Sequence, residues 1–97
     1  MKRFRWNPEK NDALKAERGV SFEAITIAIE SGGLLDILEH PNKAKYPNQR
    51  VLVVTLDNYV YLVPFVGEDE DYFLKTIIPS RKAARIYLNQ GDPNGKS

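Results

Sequence analysis

Two apolar runs, residues 50–56 and 59–65, flank the pair Asp57-Asn58, and this pattern constrains the fold more than any other in the chain. The first, Arg50-Val-Leu-Val-Val-Thr-Leu56, is rich in β-branched side chains, which fit a pleated surface. Asp and Asn tolerate the left-handed backbone of a two-residue turn. The pattern therefore predicts an antiparallel hairpin. In the second run Tyr59, Tyr61 and Val63 share one face, while Val60 and Leu62 share the other. Both faces are apolar, so both need cover. Pro64, late in this run, predicts a strand end or a sheet edge, because proline cannot donate to a ladder.

The flanking segments supply the cover. Residues 3–6, Arg-Phe-Arg-Trp, alternate as a short strand does. Asn7-Pro8-Glu9 is a helix start: a capping side chain, a proline at the first position and an anion in the first turn. That helix runs to about Glu17 and stops at Gly19. Ser21 caps a second helix, with Val20 and Ile25 placed as a hydrophobic staple and Phe22, Ile25, Ala28 and Ile29 on one face. Gly32-Gly33 ends it. Residues 34–38 read as a short strand in preference to a last helical turn, and residues 40–48 as a surface loop. Residues 66–71 read as a wide acidic connection and residues 72–78 as a last strand. Pro79-Ser80 opens a final helix that reaches about Leu88. The expected architecture is α+β: an antiparallel sheet of four to five strands, two N-terminal helices on one face, and a C-terminal helix. One domain over residues 1–89 is expected, followed by a flexible tail over 90–97.

Composition removes several classes of chemistry. The 97 residues contain no cysteine and one histidine, so thiol nucleophiles, disulfides and a zinc cluster are not expected. No metal or cofactor is implied. No apolar run approaches the ~20 residues of a membrane span. The N-terminus lacks the apolar stretch of a signal peptide, which leaves the cytoplasm as the expected compartment. The net charge of +1 does not announce a nucleic-acid partner. The placement of charge is more informative: residues 68–71 are all acidic, whereas Lys75, Arg81, Lys82 and Arg85 form a basic stretch.

That stretch is the candidate site. Unpaired N–H groups at a helix start attract anions, and Ser80, Arg81 and Lys82 lie there. Cations at that end oppose the helix dipole by ~0.3–1 kcal/mol each, a cost an arriving phosphate would offset. The plainer reading makes them solubilising residues, or partners of the acidic run. Arg50 and Lys75 join the group if their strands are neighbours. A clamp of Arg50, Lys75 and Arg81 would meet the charge that develops when a ribose 2′-OH attacks its own phosphodiester. Ser80, Lys82 and Arg85 would then hold the substrate. His40 is the one imidazole, but its plainer role is that of a loop residue. Tyr72 and Tyr87 are candidates for stacking or donation.

Three motifs bear on ancestry: Phe4-Arg-Trp-Asn-Pro-Glu-Lys10, Arg18-Gly-Val-Ser-Phe-Glu23 and Ile77-Ile-Pro-Ser-Arg-Lys-Ala83. Together they resemble the BrnT family of bacterial toxins from type II toxin–antitoxin systems, over residues 4–88. The resemblance implies a RelE-like fold and a ribonuclease that cuts RNA without metal. It implies as partners a small cognate antitoxin, RNA, and operator DNA reached through the complex. The family's basic position in the last strand falls on Lys75, and its Ser-x-Arg-Lys-Ala segment falls on Ser80, Arg81 and Lys82, with the first position changed to Pro79. The chain departs from the family at Leu14, commonly Asn, at Arg18, commonly His, and at Gln49, commonly Glu. A second reading is therefore a binding module of the same fold without catalysis. A third is an unrelated adaptor. Exposed apolar sheet area would suit a homodimer as well as a partner.

Overall fold

Local signals set most of the element boundaries in the computed structural model, which describes residues 3–68 and 70–88. Strand β1 (Arg3–Trp6) leads into helix α1 (Pro8–Arg18), and the Asn7 side chain accepts from the N–H groups of Glu9 and Lys10. Gly19 ends α1 at φ 67°, a left-handed conformation glycine adopts without strain. Helix α2 (Phe22–Ala28) starts at Ser21, whose Oγ accepts from the Ala24 N–H. A π turn (Ile29–Gly33) then delivers the chain to β2 (Leu34–Glu39). Next come β3 (Gln49–Leu56), β4 (Tyr59–Glu68), β5 (Asp71–Leu74), the two-residue β6 (Ile78–Pro79) and α3 (Arg81–Leu88).

The hairpin between β3 and β4 forms as expected. Asp57 and Asn58 both have positive φ, 54° and 62°, and Leu56 pairs with Tyr59 across the turn. The sheet itself is mixed rather than antiparallel. Among the described residues its six strands run in the order β1-β5-β4-β3-β2, with β6 also on β4, and β1 lies parallel to β5. Parallel neighbours need a long connection, and here everything from α1 to β4 lies between them. The expected wide connection over 66–71 is absent, because β4 continues to Glu68 and pairs there with Asp71.

The expected last strand over 72–78 is broken into β5 and β6. Leu74 pairs with Phe65, and Ile78 pairs with Leu62, so the two residues between on β4 face three on the other side. This is a β-bulge, and Pro64 sits opposite it. The Pro64 carbonyl accepts from the Lys75 N–H at 2.8 Å, so its missing donor would also have pointed this way. Pro64 does not mark an edge. It occupies the central strand and is tolerated where the partner bulges away.

Helices cover both faces. On one side Leu52, Val54, Val63, Phe65, Leu74 and Ile77 pack with Leu14, Phe22 and Ile25 of α1 and α2. Trp6 stacks on Phe22 at 5.5 Å there. On the other side Val53 and Val60 pack with Ala83, Tyr87 and Leu88 of α3. Burial of these apolar groups is the main force holding the layers together. The residues of the expected 90–97 tail lie outside those described. None of the helices among the described residues is long and apolar enough to cross a membrane.

Gly33 shows how closely the π turn meets the sheet. A Cβ there would lie 2.7 Å from the Thr55 carbonyl oxygen and 2.8 Å from that of Ala28. Both are backbone atoms and cannot swing aside. Gly33→Ala is expected to cost about 1–3 kcal/mol, the usual range for overpacking. A lower urea midpoint with unchanged slope is the expected observation; an unchanged midpoint would refute the account.

Candidate nucleic-acid interface

The basic end is assembled at the start of α3. The Ser80 N–H donates to the Val60 carbonyl, its Oγ accepts from the Ala83 N–H at 3.0 Å, and its carbonyl accepts from Ala84. Ser80 is thus the cap that fixes where α3 leaves the sheet. Arg81 and Lys82 follow in the first turn and Arg85 one turn later, all exposed. Arg81 and Arg85 line one open depression with Asn58, Ala84 and Leu88. No carboxylate lines it, and none is paired with Arg81, Lys82 or Arg85 among the described residues.

The acidic run does not neutralise this end through Asp71. That carboxylate instead takes the Arg3 Nε at 2.9 Å and Arg5 at 3.4 Å on β1. The hydrogen bond from Arg3, with a lesser one from Arg5, holds its carboxyl below the usual range against the opposing effect of desolvation.

Arg50 and Lys75 stand apart from that depression and from each other. They are not on neighbouring strands, since β4 separates β3 from β5. The Arg50 guanidinium lies over the Phe65 ring at 5.1 Å and lines a second depression with Glu39, Lys43, Asn48 and Gln49. Glu39 is its cross-strand partner in register and also binds Lys43 at 2.6 Å. Lys75 lies over the Phe73 ring at 5.4 Å and lines a third depression with Asn7, Glu9 and Lys10. Six residues of β3 separate Arg50 from the Asp57-Asn58 turn, roughly 20 Å along the strand. Arg81 and Arg85 are brought together; Arg50, Lys75 and Arg81 do not surround one phosphate.

The remaining candidates have structural work. His40 Nδ1 accepts from the Asn42 N–H at 3.0 Å, and its ring lies 4.5 Å from that of Tyr46. The Tyr87 hydroxyl donates to Asp36 at 3.0 Å. Burial, and then the Asp36 carboxylate, push that phenol up. Tyr72 packs between Phe4 and Phe65. Arg18 donates to the Ile77 carbonyl at 2.6 Å and so ties α1 to the bulge, while Leu14 is buried in the core.

Asn58, Glu39, Lys43 and Lys10 are neighbours of the candidate cations that sequence reasoning did not single out. The hairpin turn was visible for Asn58, but its meeting with α3 depends on the path of that helix across the sheet. Among the described residues no group of three or more His, Asp or Glu could hold a metal ion. No family model, curated protein or solved structure matches the chain.

Proposed function

We propose that this chain is the toxin of a toxin–antitoxin pair, acting on the RNA backbone without a metal, in the manner its BrnT-like motifs imply. The observation that carries the reading is the depression lined by Arg81, Arg85 and Asn58. Two like charges one helical turn apart disfavour the free helix by ~0.2–0.5 kcal/mol, and nothing of opposite charge lies between them. A phosphodiester there would relieve the repulsion. It would also receive charge-assisted hydrogen bonds from two guanidinium groups, the stronger kind. Arg50 and Lys75, each backed by an aromatic ring, would meet other phosphates of the same strand.

In the cleavage step, the ribose 2′-oxygen attacks phosphorus and the bond to the 5′-oxygen breaks. The 2′ proton leaves to a base, and the 5′-oxygen gains one. Arg81 and Arg85, in place of the expected clamp with Arg50 and Lys75, would stabilise charge on the nonbridging oxygens. A cognate antitoxin would neutralise the chain in the cytoplasm, and the complex would reach operator DNA. One observation favours a second reading, a nucleic-acid-binding module without catalysis: the basic residues line three depressions rather than one.

Expression of the wild type and of an Arg81→Ala/Arg85→Ala variant separates these readings. Growth arrest with RNA fragmentation, both lost in the variant, supports the toxin. Single-stranded RNA binding without cleavage supports the module; its logarithmic salt slope should then shrink by about 0.7 for each phosphate contact removed. Neither binding nor arrest would overturn both.

A further inference from the structure

The two sheet edges are protected differently. At β1 the exposed side chains are Arg3 and Arg5, and charge on an edge discourages added strands. At β2 the sequence is Leu-Leu-Asp-Ile-Leu-Glu, and all six residues are exposed. Leu34, Leu35, Ile37 and Leu38 are each 36–40% accessible, an apolar edge of the kind that templates pairing.

The ladder with β3 shows which backbone groups face outward. The His40 N–H donates to the Gln49 carbonyl, so the backbone of His40 faces β3, while the Gln49 N–H itself donates to the Tyr46 carbonyl. Alternation then turns Leu38 and Asp36 toward β3, and Glu39 and Ile37 away from it. Leu35 lies in a bulge, where the register shifts between Leu34 and Asp36. The Ile37 N–H is therefore the central outward donor. It is already occupied, because Asp36 Oδ1 accepts from it at 2.8 Å. The other oxygen, Oδ2, accepts from the Tyr87 hydroxyl of α3, which anchors the carboxylate to the body of the domain.

We infer that Asp36 is an edge guard, which closes β2 against a second copy of this chain by holding the Ile37 N–H. A second copy is the occupant because it presents the same exposed apolar edge strand, which can pair with its own kind. A two-fold axis at Ile37 sets this residue opposite itself, Asp36 opposite Leu38 of the second copy, and Leu35 opposite Glu39. The pairing needs both Ile37 N–H groups, the donors that Asp36 holds. It also sets a carboxylate against leucine, an unfavourable neighbour. Without the carboxylate both obstacles disappear, and an apolar strand faces its own copy.

The test compares association of full-length variants by sedimentation at matched concentrations, with amide exchange at Ile37 as a local readout. Asp36→Asn retains an acceptor oxygen and should sediment like the wild type. Asp36→Val should associate one step further, with an Ile37 amide that becomes more protected as concentration rises. Adding Ile37→Pro should reverse this, since the N–H it removes makes no bond to β3. Asp36→Ala gives the same comparison with a smaller side chain. The inference is overturned if the folded Asp36→Val and Asp36→Ala proteins sediment like the wild type. It is equally overturned if Ile37→Pro fails to reverse the association, or if the wild-type Ile37 amide is already protected by self-association.

Discussion

Phe65→Ala is expected to lower stability by about 3–5 kcal/mol, the range for deleting a buried aromatic ring. Phe65 is fully buried on the central strand of the sheet and belongs to the core that joins α1 and α2 to it. Its ring lies 4.5 Å from that of Tyr72, which in turn meets Phe4 of β1. Its flanking partners Arg50 and Leu74 bracket it on β3 and β5. A cavity here cannot close without moving three strands. A domain of this size has about 5–15 kcal/mol to lose, so the variant should be marginal at room temperature. Urea denaturation would measure the loss, and a cost below about 1 kcal/mol would contradict the packing described. Phe65→Leu should cost much less, because it retains most of the apolar volume. The Leu variant also tests the platform beneath Arg50: it keeps the fold while removing the ring over which that guanidinium lies.

Where structure depends on neighbours in the chain, the sequence was informative. Asn7, Pro8, Gly19, Ser21 and Ser80 act within one helical turn, and each occupies the helix end its chemistry favours. The Asp57-Asn58 hairpin was legible for the same reason. Pairings between distant segments were not. Nothing near β1 says that it will lie parallel to β5, because that choice is made by strands more than sixty residues away. Pro64 looks like an edge signal until β4 is known to be central, and its meaning then becomes a bulge in its partner. The basic site divides along the same line. Arg81, Lys82 and Arg85 were legible as one basic stretch because a single helix carries them, although the expected clamp set Arg81 with Arg50 and Lys75 rather than with Arg85. The positions of Arg50 and Lys75 depend on strand order and on the rings they lie over, neither of which a local pattern encodes.

Asn11→Leu should cost about 2–4 kcal/mol, because this side chain joins the two N-terminal helices through a buried polar bridge. Asn11 is the one buried polar residue among those described, at 4% accessibility. Its Oδ1 accepts from the Phe22 N–H at 2.8 Å, and its Nδ2 donates to Glu23 Oε1 at 2.8 Å. The Phe22 N–H opens α2 and has no partner within that helix. Leucine would leave it buried and unpaired, which costs more than the lost bond itself. The donation from Asn11, with Lys15 a lesser contributor, holds the Glu23 carboxyl below its usual range. Asn11→Asp makes the electrostatic part visible. It keeps an acceptor for Phe22 but sets a second carboxylate against Glu23, and repulsion raises the folded-state pKa of the pair above its unfolded value. Such a shift contributes stability at low pH that is lost as pH rises through the raised pKa. The Asp variant should therefore be closest to the wild type in mildly acidic urea titrations and fall away toward neutrality. The Leu variant should show a deficit that is nearly constant, apart from the contribution of Glu23. If the two variants lose stability in parallel across that range, the Asn11–Glu23 bond is not what joins the helices.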